Sequence, residues 1–291
     1  MRAGLSRSGI IGIAFLHDLE DQAKTALDRS NPVCFISGTV AASQQWKEQV
    51  MIGVKGKTIL VTGASSGIGE ASVRELAGAG AWLFIGARRA GRLQALADEL
   101  GDQVAWQELD VTDADNFVGF ADAAAERFGQ IDALVNNAGI MPLSPLYALK
   151  RDEWKRMIDV NIHGVLNGIA AVLPRFIAQG AGHVVNVASI GAHLVVPSAA
   201  VYCGTKYAVW AITEGLRQEH DDIRATVISP GVVATELGND ISDPQVAAAL
   251  KDWRQKSLTP DAIARAIRFA LEQPEGVDVN EVIVRPTAAN M

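Results

Sequence analysis

Thr62-Gly63-Ala64-Ser65-Ser66-Gly67-Ile68-Gly69 is the stretch on which the reading of this chain turns. It follows the apolar run Thr58 to Val61 directly and runs straight into Glu70-Ala71-Ser72-Val73-Arg74-Glu75-Leu76, a helix opening. Glycines at a strand-to-helix turn permit a tight bend and close approach of another group to the backbone. The first N–H groups of the helix are then offered to a pyrophosphate. Three residues separate Gly63 from Gly67, where the common dinucleotide fingerprint has one. A glycine loop alone is often only a turn, but the flanking strand and helix supply the context the motif demands. Gly63, Ser65, Ser66, Gly67, Ile68 and Gly69 are therefore read as a phosphate-binding turn.

Outward from this loop the chain alternates apolar runs with helical patterns, as repeated βα units do. The expected strands are Thr58 to Val61, Trp82 to Ala87, Val104 to Leu109, Ala133 to Val135, Val184 to Val187, Ala225 to Ile228 and Glu281 to Val284. They are almost continuously apolar, the mark of strands buried on both faces of a parallel sheet. The expected fold is α/β: a doubly wound, Rossmann-like, parallel seven-stranded sheet in a single domain spanning residues 51–291. Residues 1–50 carry no motif. Apart from a short amphipathic helix from about Leu16 to Leu27, they are expected to be an extension that is disordered or a start-site artefact, with the compact domain opening near Met51.

Composition narrows the function. The chain has 291 residues, 49% of them hydrophobic and 20% charged, enough to bury a sizeable core. A net charge of −7 without a basic stripe argues against nucleic acid. The apolar run Ile10 to Leu16 is too short to cross a bilayer, and no small-residue cleavage site follows it, so neither membrane nor secretion is expected. Two cysteines, Cys34 and Cys203, fit a reducing, cytoplasmic compartment better than a disulfide framework. The histidines form no ligand-spaced cluster with acids or Cys203, and no metal site is expected.

The end of the second strand selects the cofactor. An acid there takes the ribose hydroxyls of NAD, whereas a basic group accommodates a 2′-phosphate. This chain has Gly86-Ala87-Arg88-Arg89, two guanidiniums and no carboxylate. NADP (NADPH) is the expected cofactor, held by Arg88 and Arg89; the alternative is a solvated arginine pair. Asp110 and Val111 end the third strand, where the carboxylate either accepts from an adenine amino group or caps the next helix. In Asn136-Asn137-Ala138-Gly139, Asn137 is expected both to tie neighbouring strands and to present backbone to a ligand.

Candidate chemistry gathers further on. Tyr202 and Lys206 lie four residues apart, one above the other on a helix. An ammonium in that place is expected to favour the phenolate, making a phenol of ordinary pKa ~10 a usable acid and base. Ser189 ends the fifth strand at the edge where open parallel sheets bind ligands. The loop Ile190 to Ala200 lets its hydroxyl and the phenol converge on one substrate oxygen. On the helix after Asp152, Trp154, Met157, Ile158, Val165, Ile169 and Val172 form the expected core stripe. Asn161 falls on it, either bonding a helix kink or holding a water beneath the lysine.

Thr62-Gly63, Gly67, Gly69, the Asn136 to Gly139 run, Asn161, Ser189, Tyr202, Lys206 and Pro230-Gly231 occur in the order and spacing of the short-chain dehydrogenase/reductase family. From about Lys55 to the C-terminus the chain resembles that family's NADP-preferring bacterial oxidoreductases. The resemblance implies that Tyr202 exchanges a proton with a carbonyl or alcohol oxygen while the nicotinamide exchanges hydride. Lys206 is implied to lower the Tyr202 pKa and bind the nicotinamide ribose. Ser189 is implied to polarise the substrate oxygen, and Asn161 to support a proton relay. Pro230, Gly231 and Val232 are implied to pass beside the nicotinamide, with Thr235 near the cofactor carboxamide or phosphate.

The partner so implied is a small-molecule carbonyl or alcohol, acted on by an oxidoreductase of class EC 1.1.1.-. Leu237, Ile241, Leu250 and Trp253 suggest an apolar pocket under a lid, or a surface connection. Homodimers or homotetramers formed by helix pairing are expected. The rival reading is a non-catalytic NADP-binding sensor or regulatory protein, which does not require Ser189, Tyr202 and Lys206 to coexist.

Overall fold

A computed structural model describes residues 53–288. The expectations about the 1–50 extension, the Leu16 to Leu27 helix and Cys34 lie outside the described residues. Seven strands form one sheet: β1 (Thr58–Thr62), β2 (Trp82–Ala87), β3 (Val104–Glu108), β4 (Ala133–Asn136), β5 (Gly182–Val187), β6 (Ile223–Pro230) and β7 (Glu281–Val284). Their spatial order is β3-β2-β1-β4-β5-β6-β7, and every pairing is parallel. The chain direction of the winding reverses between β1 and β4, which opens a crevice at the carboxyl ends of those strands. Register brings Thr62 beside Gly86, Asn136 beside Asn186, and Pro230 beside Val284 at that edge.

The sheet is covered on both faces, as its unbroken apolar runs require. Helices α1 (Gly67–Gly78) and α2 (Ala90–Leu100) close one face, the former through Val73 and Leu76, the latter through Leu93 and Leu96. Helix α3 (Ala114–Phe128) packs Phe117 and Phe120 on the other face. There follow α4 (Arg151–Ile158), a π-helical turn (Asp159–His163) and α5 (Gly164–Gln179), which run on as one helix. By length and composition that helix is apolar enough to cross a membrane. Its Val165, Ile169, Val172 and Phe176 are instead buried against the sheet, as in a core helix. Helix α6 (Ala200–Glu219) completes this layer, while α8 (Pro260–Leu271) returns to the first face through Ile263 and Ile267. Between them α7 (Pro244–Arg254) packs Leu250 into a smaller cluster with Leu143, Met157 and Ile241 beside the crevice.

Strand β6 runs two residues beyond the expected run at each end, and two further departures from the expected elements have local causes. Strand β5 begins at Gly182 rather than Val184, because His183 is buried there and its Nε2 meets Thr226 Oγ1 at 2.8 Å across to β6. Burial beside the charges of Arg224 and Lys57 keeps this imidazole well below its ordinary pKa, hence neutral. Ile158, expected in the core stripe, is 39% exposed while Met157 is buried. The π turn that begins at the next residue takes in an extra residue, so a stripe drawn at a constant period does not run through it.

Candidate active site

One cleft of about 610 Å³ at the carboxyl edge of the sheet carries both the glycine loop and Tyr202. Gly63, Ser65, Ser66, Gly67 and Ile68 line it, and Gly69 supports it from behind. A Cβ on Gly69 would stand 2.3 Å from the Gly63 carbonyl oxygen, so only glycine lets α1 start this close to the strand end. Gly67 has φ of +57°, a left-handed conformation that glycine adopts without strain. Ser66 occupies the N-cap position of α1 without a side-chain bond to the helix N–H groups. Its hydroxyl and that of Ser65 instead accept from Arg89, at 2.6 and 3.0 Å. The N-terminus of α1 opens on the cleft without a side-chain cap and has a guanidinium at its rim, a fit for a dinucleotide phosphate group.

The two arginines after β2 differ. Arg88 and Arg89 both line the cleft, but it is Arg89 that is bound to the loop. Arg92, which sequence reasoning missed, donates to the Ser65 carbonyl at 3.4 Å and to Glu236 at 2.9 Å. Its signal was available, since it stands three positions past Arg89 at the start of α2. Glu236, also missed, arrives from the segment after β6 and has no local signature.

Asp110 and Val111 line the cleft, but Asp110 does not cap α3. The N-cap is Asp113, whose carboxylate accepts from Asn116 N at 2.9 Å. Asp110 accepts from Thr112 N at 3.0 Å and from the Thr112 hydroxyl at 2.8 Å, forming its own turn. The Thr112 N–H bond lowers its pKa most, with the Arg88 charge adding to the effect, so it faces the cleft ionised. Asn137 ties β4 to β1: its side chain donates to the Thr62 carbonyl at 3.0 Å, and Thr62 Oγ1 receives the Asn137 and Ala138 N–H groups, each at 3.0 Å. Asn137, Ala138 and Gly139 then form the cleft wall. Across from them run Pro230, Gly231, Val232 and Thr235, the last packed against Gly67.

At the inner end Ser189, Tyr202 and Lys206 converge. Ser189 Oγ accepts from Gly191 N at 3.0 Å, which fixes the first turn beyond β5, and it lines the cleft together with Tyr202. Burial pushes the Tyr202 pKa up to about 12, with the nearby Ser189 hydroxyl opposing it. Burial alone brings Lys206 down to about 8. Burial outweighs the ammonium expected to favour the phenolate: Lys206 Nζ donates to the Val187 carbonyl at 2.9 Å and stands 5.8 Å from the phenol ring centroid. At neutral pH Tyr202 holds its proton, and Lys206 is largely charged.

Asn161 does not line the cleft; it lies beneath, in the π turn. Its Oδ1 accepts from Ile140 N at 2.9 Å, and its Nδ2 donates to Ile140 O at 3.0 Å and Thr205 Oγ1 at 3.1 Å. The side chain fastens the loop after β4 to α6 under Tyr202. Cys203 is packed, its thiol pKa raised by burial. His193 turns toward Glu281 Oε1, at 2.6 Å.

The segment after Thr235 is held in place by hydrogen bonds. Leu237, Leu250 and Trp253 line the cleft, whereas Ile241 packs beneath α7. Arg254 bonds the Leu237 carbonyl and Asn239, and Ser242 bonds Lys150 and Glu153.

Residues 57–246 match the family described as short chain dehydrogenase. An uncharacterised oxidoreductase of Staphylococcus saprophyticus is 50% identical over 246 residues, 83% of this chain and all of that protein. Among solved structures, an alcohol dehydrogenase from the archaeon Thermococcus sibiricus, complexed with 5-hydroxy-NADP, is 34% identical with a TM-score of 0.73, covering 81% of this chain and 98% of that one. The 3-ketoacyl-(acyl-carrier-protein) reductase of Brucella melitensis, complexed with NADH, is 29% identical with a TM-score of 0.73, covering 81% and 99%. The glycine cradle, the parallel sheet and these relatives lead to one conclusion: the chain belongs to the short-chain dehydrogenase/reductase family of NAD(P)-dependent oxidoreductases.

Proposed function

We propose that the protein is an NADP(H)-dependent oxidoreductase that interconverts a small aldehyde or ketone and the corresponding alcohol (class EC 1.1.1.-), with Tyr202 as general acid and base. The observation that carries this reading is the convergence of Ser189, Tyr202 and Lys206 on the same cleft as the glycine cradle. When bound, the nicotinamide supplies or takes the hydride. The chain's own residues handle the proton. Ser189 and Tyr202 together address one substrate oxygen, the serine orienting it and the phenol donating to it in reduction or accepting from it in oxidation. Lys206 stabilises the phenolate left behind, as the cation one turn along α6. Leu143, Leu194, Val196 and Trp253 line the cleft, which favours an apolar substituent on the carbonyl.

NADP over NAD is argued from Arg89 and Arg92 at the rim and from the lack of a carboxylate at the end of β2, since the related structures carry either cofactor. A reducing, cytoplasmic setting suits the buried free thiol of Cys203. The test is absorbance at the nicotinamide band with NADPH or NADP and a panel of aldehydes, ketones and alcohols, on wild type and Tyr202→Phe. Turnover in wild type that drops by about 100-fold or more in the variant, with NADP binding retained, is the expected result. Unchanged turnover in Tyr202→Phe rejects the assignment, and no turnover with any compound favours the sensor.

A further inference from the structure

The proton chemistry makes no use of Glu236, yet this residue makes the most highly charged contact in the cleft. Its carboxylate accepts from Arg89 Nη1 at 2.6 Å and from Arg92 Nη1 at 2.9 and 3.1 Å. Arg89 Nε and Nη2 donate to the Ser65 and Ser66 hydroxyls. A carboxylate thus occupies the guanidinium pair that the NADP reading assigns to a 2′-phosphate, and to a guanidinium the two anions offer the same bidentate chemistry.

The backbone around Glu236 is anchored independently of this bridge. Ala234 N donates to Leu258 O at 2.8 Å, Leu237 N to Thr235 Oγ1 at 3.2 Å, and Asn239 N to Glu236 O at 3.0 Å. The side chain is 45% exposed and is free to swing into solvent while the segment stays. The bonds from Arg89 and then Arg92 bring its pKa down to about 2, so it remains an anion throughout the working pH range.

We propose that Glu236 is a specificity-determining residue, an internal anion that holds the Arg89–Arg92 pair and must yield it to the 2′-phosphate, so that it sets the affinity for NADP relative to NAD. This rests on the NADP reading above. NAD, which lacks that phosphate, leaves the bridge in place, whereas NADP binds at the expense of breaking it.

Titration calorimetry at one fixed salt concentration tests this on wild type, Glu236→Gln and Arg89→Ala, with NADP, NAD, adenosine 2′,5′-bisphosphate and AMP as ligands. Melting temperatures check that each variant is folded. Glu236→Gln is expected to tighten NADP and the bisphosphate by about 5- to 20-fold and to change NAD and AMP by less than about 2-fold. Arg89→Ala is expected to weaken NADP by about 10-fold or more with little effect on NAD. A higher NADP-to-NAD affinity ratio in Glu236→Gln supports the proposal. If wild type prefers NADP and Glu236→Gln leaves that ratio unchanged or lowers it, Glu236 positions the arginines instead, and the proposal alone falls. If wild type and Glu236→Gln both bind NADP and NAD alike, the NADP reading falls and the proposal with it.

Discussion

Burial acts on Tyr202 and Lys206 in the same sense, pushing each toward its neutral form, to about 12 for the phenol and about 8 for the amine. A lysine with a folded pKa below its ordinary 10.5 leaves the unfolded chain binding more protons between about pH 8 and 10.5. Wild-type stability from this group therefore rises with pH across that window, and below pH 8 the cost of the buried charge is fully present. Lys206→Met removes that cost. The variant is expected to lose about 100-fold or more in turnover while its stability relative to wild type is greatest at pH 7. That advantage should shrink by up to about 1.4 kcal/mol per pH unit between pH 8 and 10. Urea denaturation of both proteins at each pH measures it, and a difference that does not change with pH rejects the assignment of the charge. The Tyr202–Lys206 spacing was legible in the sequence, but the sign of the phenol's shift was not. Helical periodicity places two side chains on one face, and the enclosing residues decide how much water reaches them.

The glycine loop and α1 show the same division at the level of an element. The strand, turn and helix were all readable from neighbouring residues, since glycine spacing and apolar runs are local properties. The close approach at Gly69 follows from where the Gly63 carbonyl lies, and it separates two glycines of one helix. Gly69→Ala places a methyl 2.3 Å from backbone oxygen, whereas a Cβ on Gly78 meets nothing within 4 Å. Gly69→Ala is expected to lose about 1–3 kcal/mol of stability and most of its nucleotide affinity. Gly78→Ala is expected to be neutral or to gain about 0.5 kcal/mol. Thermal melts and a nucleotide titration on the pair check both, and equal effects reject the close-contact argument. The π turn was the element that escaped. A constant helical period carries no mark of the inserted residue, and what identifies it is Asn161 bonding both backbone groups of Ile140 across the cleft wall.

At the scale of the whole molecule, α5 and α6 carry more apolar surface than the sheet covers. Leu166 and Ile177 on α5, and Tyr207 and Trp210 on α6, are exposed. Leu166 and Ile177 stand eleven residues apart, close to three whole turns, and so lie on one stripe. We propose that these helices pair between copies of the chain, and expect sedimentation as a dimer or tetramer, with Leu166→Glu shifting it toward monomer. A monomeric wild type rejects the pairing. The sequence by itself determined the doubly wound sheet, the position of the glycine cradle and the order in which Ser189, Tyr202 and Lys206 reach the sheet edge. Each of these is written in residues that lie within a few positions of one another or in repeated apolar runs. Only the tertiary structure decided that Arg89 and Arg92 share Glu236, the last contact bridging 147 residues from Arg89, and that burial governs the protonation of Tyr202 and Lys206. Long-range ion pairs and the exclusion of water arise from which distant segments pack together, and no local pattern encodes them.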